Sequence, residues 1–273
     1  MAVIAISRQV AALGDEVAVE LAKMLNYRFV DRKTIENKIV DLGFPAEKME
    51  KYDEKKPGFF ASLAKDRDEY LDYLQTAVLE ASSEGNCILI GRGSFVILED
   101  VPNLLAVRFI AKDSLRVKRL MDEFGWDEKQ ALQRIEESDT NRIGFHKNFF
   151  NLAVEDPVHF HMVLNTGLFN AHSAAVVLSE MCKKLISPEA EKQGAQKIKE
   201  MLSAQYVVNK LVFDCKLNIN FLRAVISGNT LTLHGVAESA VLAEKAVQVA
   251  AELMKDKEIM SCISVVQDFK SYP

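Results

Sequence analysis

Five short, apolar, mostly β-branched runs are spaced along the first 165 residues, each separated from the next by a helix-like stretch. The runs are VIAI at 3–6, YRFV at 27–30, NCILIG at 86–91, NLLAVRFI at 103–110 and HMVLN at 161–165. Most are continuous rather than alternating, as strands buried on both faces are. Between them apolar residues recur at helical spacing over 16–26, over a charged stretch from 34 to 84 broken by GFP (43–45) and KKPG (55–58), and over 114–123, 127–137 and 173–185. Asp127 is a candidate N-cap for the fourth of these helices. Parallel neighbours need crossover connections, so this alternation points to an α/β fold: a parallel sheet flanked by helices, over residues 1–187.

The pattern changes after residue 185. The polar stretch ISPEAEKQ (186–193) reads as a linker, and residues 194–273 follow a different plan. A helix over 194–206 leads to alternating residues 217–226, a turn at Ser227-Gly228-Asn229, alternating residues 230–234, a helix over 240–254 and a strand near 260–267. Gly-Asn between two alternating runs is a hairpin signal. The expectation is a small α+β domain over 194–273.

Composition narrows the class. With 49% hydrophobic and 27% charged residues the chain is that of an ordinary globular protein. No run reaches the about 18 apolar residues of a membrane span. The start, MAVIAISRQVAAL, carries no basic leader and reads as a first strand, so the expected compartment is the cytoplasm. Four scattered cysteines (Cys87, Cys182, Cys215, Cys262) form no CxxC pair, which fits reduced thiols and no metal motif. Residues 191–273 hold 10 basic and 9 acidic side chains, leaving 24 and 30 for residues 1–190. Neither part carries a basic stripe, so no nucleic-acid partner is expected.

The turn after the first strand reads Ser7-Arg8-Gln9-Val10-Ala11-Ala12-Leu13-Gly14-Asp15-Glu16. A strand, a glycine-bearing turn and a helix N-terminus form the usual receptor for a nucleotide phosphate. Only Gly14 is present here, there is no lysine, and Asp15 and Glu16 place carboxylates at the helix start. Those carboxylates suit the helix dipole in a plain βα turn and would repel a triphosphate. Leu13 is expected to resist positive φ.

The order of ISRQ (6–9), the EVAVELAKML helix, Asp31-Arg32 closing YRFVDR, EKYDEKKP (50–57), ILIGRGS (88–94), PNLLAVRFIA, DSLRVKRLM, DTNR (139–142) and DPVHFHMVLNT (156–166) resembles the cytidylate kinase-like family of P-loop proteins over about 1–185. The resemblance implies a P-loop kinase-like sheet, ATP with Mg2+ as donor, and a nucleoside monophosphate such as CMP as acceptor. Family members read something like SRxYGSGGRE in the first turn, so Ala11, Ala12, Leu13 and Asp15 depart from the pattern, and His161 replaces an Asp.

On this resemblance Arg92, Asp139 and Arg142 are the candidate catalytic residues, and Ser7, Arg8, Gly14, Asp31 and Arg32 the candidate nucleotide-binding residues. Each has a structural alternative: Arg92 as the partner of Asp31 or Asp139, Asp31 as a helix cap, Asp139 and Arg142 as an i,i+3 ion pair on a solvated helix. The resemblance also puts Asp139 and Arg142 where such kinases carry a lid over the transferring phosphate, and makes Arg119, facing that lid, a further candidate. His159 and His161 could share a strand face, but neither they nor His146 and His172 show metal-ligand spacing, and no metal site is expected.

Residues 195–273 resemble a BON domain in their Ser227-Gly228-Asn229 turn, LTLHGVAES (231–239) and ISVVQDF (263–269). That resemblance implies a ligand-binding or assembly module, with self-association of the chain. Two functional readings follow: an ATP-dependent nucleoside monophosphate kinase weakened by its altered first turn, and a catalytically inactive nucleotide-binding or regulatory protein.

Overall fold

The computed structural model describes residues 2–49 and 64–266. The motif at 50–57, Phe59-Phe60 and the end of the last expected strand lie outside those residues. The chain divides into two compact units, Met1–Ala195 and Gln196–Pro273.

In the first unit five strands form one parallel sheet in the order β2-β3-β1-β4-β5: β1 (Val3–Arg8), β2 (Arg28–Val30), β3 (Cys87–Ile90), β4 (Leu104–Ile110) and β5 (Met162–Asn165). β1 lies at the centre, with Ile6 beside Ile90 on one side and Val107 on the other. One face of these strands, including Ile4, Ile6, Ile88, Ile90, Val107 and Phe109, is covered by helices α1 (Gly14–Leu25) and α8 (Ala171–Leu185) through Val17, Leu21, Ala174 and Leu178. The connecting helices are α2 (Arg32–Asp41), α3 (Ala46–Met49), α4 (Ala64–Ser83), α5 (Ser94–Ile97), α6 (Asp113–Phe124) and α7 (Glu128–Phe150).

Helix limits follow local chemistry. Asp127 caps α7 in a reciprocal box with Gln130, accepting from its backbone N–H at 2.8 Å. The α7 helix then runs to Phe150, past the expected end at 137. Residues 138–144 look polar, yet Arg142, Phe145 and His146 continue the buried stripe begun by Ala131 and Ile135.

The expected linker is also corrected. α9 (Pro188–Asn209) is helical from Pro188, because Ser187 accepts the Ala190 N–H at 3.1 Å and proline occupies the first turn. In the second unit β6 (Ile219–Ser227) pairs antiparallel with β7 (Thr230–Ala237), which pairs parallel with β8 (Glu258–Val265) after helix α10 (Ala240–Leu253). The β6–β7 turn is the two residues Gly228-Asn229, with Gly228 at φ +58°. Ala204, Val207, Leu231, Leu233, Ala246 and Ala250 form this unit's core. Among the described residues no helix is long and apolar enough to cross a membrane.

Candidate functional site

Strand order reverses beside β1, so the crevice of the first unit lies at the C-terminal ends of β1, β3 and β4, where open parallel sheets bind ligands. The residues there are the β1–α1 turn, Asp31-Arg32 after β2, and Gly91-Arg92-Gly93 after β3.

The first turn departs from expectation in its backbone. Leu13 adopts φ +58°, ψ +19° and Ala11 φ +57°, whereas Val10, Ala12 and Gly14 stay out of that region. Leu13 therefore does take positive φ, at a cost of about 1–2 kcal/mol for a residue with a Cβ. Packing holds it there: Ala12 is buried, and Leu13 sits against the β-sheet core. An alternation of φ sign over successive residues turns neighbouring N–H groups toward one concavity, the geometry of anion nests. Helix α1 then begins with its free N–H groups at the same place.

Two arginines of α6 pin the outer side of this turn. Arg116 Nε donates to Val10 O at 2.9 Å, and Arg119 Nη1 donates to Ala11 O at 2.9 Å. Arg119 also reaches the hydroxyl of Thr166 at 3.0 Å and its carbonyl at 2.7 Å, linking the turn to the end of β5. Its placement is against the turn itself. Burial pulls the Arg119 pKa below the usual guanidinium range.

Three carboxylates of the crevice, Asp15, Asp31 and Asp139, are already engaged. Asp15 receives Arg8 Nε at 3.1 Å and Nη2 at 3.2 Å, so its charge is matched across the turn. Gly14 lies beneath this pair: a Cβ on it would stand 2.6 Å from Arg8 Cβ and 2.7 Å from Cγ. Asp31 caps α2, accepting the Thr34 hydroxyl at 2.6 Å and N–H at 2.7 Å, and the hydroxyl bond above all holds its carboxyl below the usual range. Arg116 Nη2 donates to both carboxylate oxygens of Asp139, at 2.9 and 2.8 Å, and Asp139 stands 3.8 Å from Arg142. The i,i+3 pair with Arg142 therefore exists, but Arg142 is buried rather than solvated.

Arg92 is 1% exposed, in left-handed conformation at φ +53° between Gly91 and Gly93. Among the described residues its carboxylate partner is Glu36 of α2, in place of Asp31 or Asp139. Glu36 also accepts Arg32 Nε at 2.5 Å, so two arginines share one carboxylate. Burial alone would raise the Glu36 pKa; Arg92 and Arg32 together overcome that and leave it lowered. Gly93 has φ +67°, and a Cβ there would lie 2.3 Å from the Phe150 ring, so α7 can close over this turn only because the residue is glycine.

The sequence reading passed over Arg108. It lies on β4 in register with Ser7 and is 5% exposed, and its Nη1 donates to the buried Ser7 Oγ at 3.1 Å. An aromatic chain joins it to Arg92. Arg92 stands 5.7 Å from the Phe145 ring, Phe145 is 5.4 Å from His146, His146 5.4 Å from Phe95, Phe95 4.6 Å from Phe160, and Arg108 5.7 Å from Phe160. His146 thus belongs to packing. His159 lies in a 3-10 turn (Pro157–His159) and His161 accepts the Ala106 N–H at 2.9 Å, so the two do not share a strand face. Among the described residues no group of three or more His, Cys, Asp or Glu is placed to hold a metal ion.

These donors suit a phosphate taken up by backbone N–H groups. They do not suit a magnesium ion held by the protein, because Asp15, Asp31 and Asp139 are each committed to a protein partner.

Sheet order and turn geometry together define a P-loop kinase-like α/β protein. Residues 3–168, more than half of the chain, match the cytidylate kinase-like family. The chain belongs to that family. Among solved structures, an uncharacterized protein from Eubacterium ventriosum is similar at 21% identity and a TM-score of 0.55, over 67% of this chain and 98% of that one. A shikimate kinase from Bacteroides thetaiotaomicron (14% identity, TM-score 0.41, 67% and 98% covered) and a gluconokinase from Sinorhizobium meliloti (16%, 0.39, 67% and 96%) are also similar. No curated protein matches.

Proposed function

We propose that this protein binds nucleotides in the crevice of its first unit. In this reading the first turn receives the phosphate chain of a triphosphate such as ATP, and the ends of β2, β3 and β4 receive a nucleoside monophosphate such as CMP. The observation that carries it is the left-handed backbone at Ala11 and Leu13. A plain βα turn has no need of two strained, non-glycine residues, and strain of this kind gathers where a backbone must face a ligand. Arg116 and Arg119 engage the carbonyls of Val10 and Ala11, and the Ala12 N–H donates to Gln9 O at 3.3 Å, so the N–H groups this reading offers an anion are the remaining ones of the turn and the first ones of α1.

Phosphoryl transfer is slow in this reading. The turn has no lysine, Arg8 is spent on Asp15, and among the described residues no group of three or more His, Cys, Asp or Glu is placed to hold a metal. The same engagement of Asp15, Asp31 and Asp139 supports the second reading, a nucleotide-binding regulatory protein in which the BON-like second unit senses or assembles. Arg92, with Arg32, would position the acceptor, and Arg142 would meet transferring charge from α7.

A thermal-shift panel of ATP, GTP, CMP and UMP, with and without Mg2+, followed by coupled turnover, tests this. The expected result is stabilisation by nucleotide, with turnover orders of magnitude below the 1–100 s⁻¹ common for kinases. No shift with any nucleotide refutes both readings. A shift with no turnover selects the regulatory one.

A further inference from the structure

A sheet edge is a row of backbone donors and acceptors open to another chain, and proteins shorten, bend or charge their edges to keep them unpaired. Among the described residues, three of the four sheet edges are treated in this way. In the first unit β2 has three residues and β5 has four. In the second unit β6 breaks register between Asn220 and Arg223, with Phe221 at φ +53° and the charge of Arg223 beside it, which is a bulge. β8 is different. It pairs with β7 over eight residues with no register shift, and Ile259–Gln267 holds no charged residue, proline or glycine.

The groups that β8 leaves open follow from its ladder. Glu258 N–H donates to Asn229 O at 2.9 Å, and Val266 N–H donates to Ala237 O at 3.0 Å. In a parallel pair each residue aims its N–H and C=O to the same side, and the side alternates along the strand. The even-numbered residues from 258 to 266 therefore face β7. Ile259, Ser261, Ile263 and Val265 turn their N–H and C=O groups outward. Among the described residues one of these groups finds a partner: the Ile263 N–H meets the Ser261 hydroxyl of its own strand at 3.4 Å.

We propose that this edge pairs with β8 of a second copy, antiparallel, about a two-fold axis through Cys262. Centred there, Ile259 lies opposite Val265 and Ser261 opposite Ile263, so every outward group of both strands is bonded. No other centre matches the four outward residues with one another. On the face turned away from the helices Met260 meets Ser264 and Glu258 meets Val266, so no like charges are opposed. Cys262, exposed on that face, stands opposite its own copy in a pair without hydrogen bonds, with Cα atoms about 4.5 Å apart. The two three-stranded sheets become one of six strands, held as in strand addition by main-chain bonds. The proposal is independent of nucleotide binding and goes beyond that reading by giving the second unit's assembling role a surface.

Sedimentation of the full, reduced chain from about 1 to about 200 μM tests the proposal, since a weak dimer dissociates on dilution. The expected result is a shift from monomer to dimer across that range, with a short bismaleimide joining two chains at Cys262. Cys262→Lys and Cys262→Glu each oppose like charges at the axis, so Kd should rise at least about tenfold in either variant. An equimolar mixture of the two opposes unlike charges and should recover the dimer. The position is exposed, so neither substitution removes a core group. A wild-type chain that stays monomeric throughout overturns the proposal together with the assembling role. A dimer that both single variants leave intact overturns this surface alone. Loss of the dimer in both variants without recovery in the mixture also overturns it, because the damage is then to the fold and not to a charge pair.

Discussion

Replacing Arg116 with methionine decides what the DTNR segment is for. Arg116 is 1% exposed and makes bonds to three places at once: Val10 O in the first turn, Asp113 on its own helix at 3.0 Å, and both oxygens of Asp139 on α7. Removing it leaves Asp139, 25% exposed, without its main counter-charge, and Val10 O without a donor. Breaking a buried pair by deleting one partner costs about 3–5 kcal/mol. For a domain of this size each kcal/mol shifts Tm by about 2–4 °C, so the expected fall is roughly 6–20 °C. Asp139→Asn should cost less, about 1–3 kcal/mol, because Arg116 keeps its other two partners. The assay is thermal denaturation followed by circular dichroism for both single variants and the double variant. If the clamp is real, the double variant is less destabilised than the sum of the singles by at least about 1 kcal/mol. Two findings refute the reasoning: melting within about 2 °C of wild type for Arg116→Met, or strict additivity of the pair. Asp139→Asn with wild-type stability but abolished turnover also refutes it, since the carboxylate would then serve a ligand.

Three further outcomes are expected. Gly93→Ala combines a positive φ with a Cβ 2.3 Å from the Phe150 ring, so it should lose about 2–4 kcal/mol by urea denaturation, whereas Gly125→Ala, in open space at the same φ, should lose only about 1. Glu36 has a lowered pKa in the folded chain, so its contribution is complete above its unfolded pKa and is lost as pH falls through the folded one. The Tm gap between wild type and Glu36→Gln should therefore be widest near pH 7 and close on acidification below about pH 4; a gap that widens in acid contradicts the pairing with Arg92. Finally, burial pushes the Cys87 thiol up to about 12, while Cys262 is exposed on β8, so a maleimide at pH 7 should label Cys262 and leave Cys87 untouched in the native protein, as peptide mass mapping would read.

The elements were more legible than their partners. The five apolar runs mark the five strands because burial on both faces leaves a continuous hydrophobic signature, but nothing in such a run says that β1 is central. Arg108 was hidden by that same signature, as one charge inside NLLAVRFI. Glu36 sits in a charged helical stretch, where a solvated role is the ordinary expectation, and only the tertiary approach of β3 to α2 exposes it as the partner of Arg92. The first turn misled in the opposite direction. Residue type argues against positive φ at Leu13, and packing overrides that preference. The helix start at Pro188 was readable from Ser187-Pro188-Glu189 but was masked by the polarity of its first turn.

The central place of β1 has a consequence for synthesis. Its neighbours β3 and β4 leave the ribosome only after about eighty to a hundred more residues, at about 5–20 residues per second. For several seconds the run Val3–Ile6 has no later strand of its sheet to pair with and remains an exposed apolar segment of the growing chain. The sheet then forms by inserting later strands on both sides of the oldest one. A chaperone acting at the ribosomal exit would find a target in a strand whose residues Val3–Ile6 end up with no exposure to solvent.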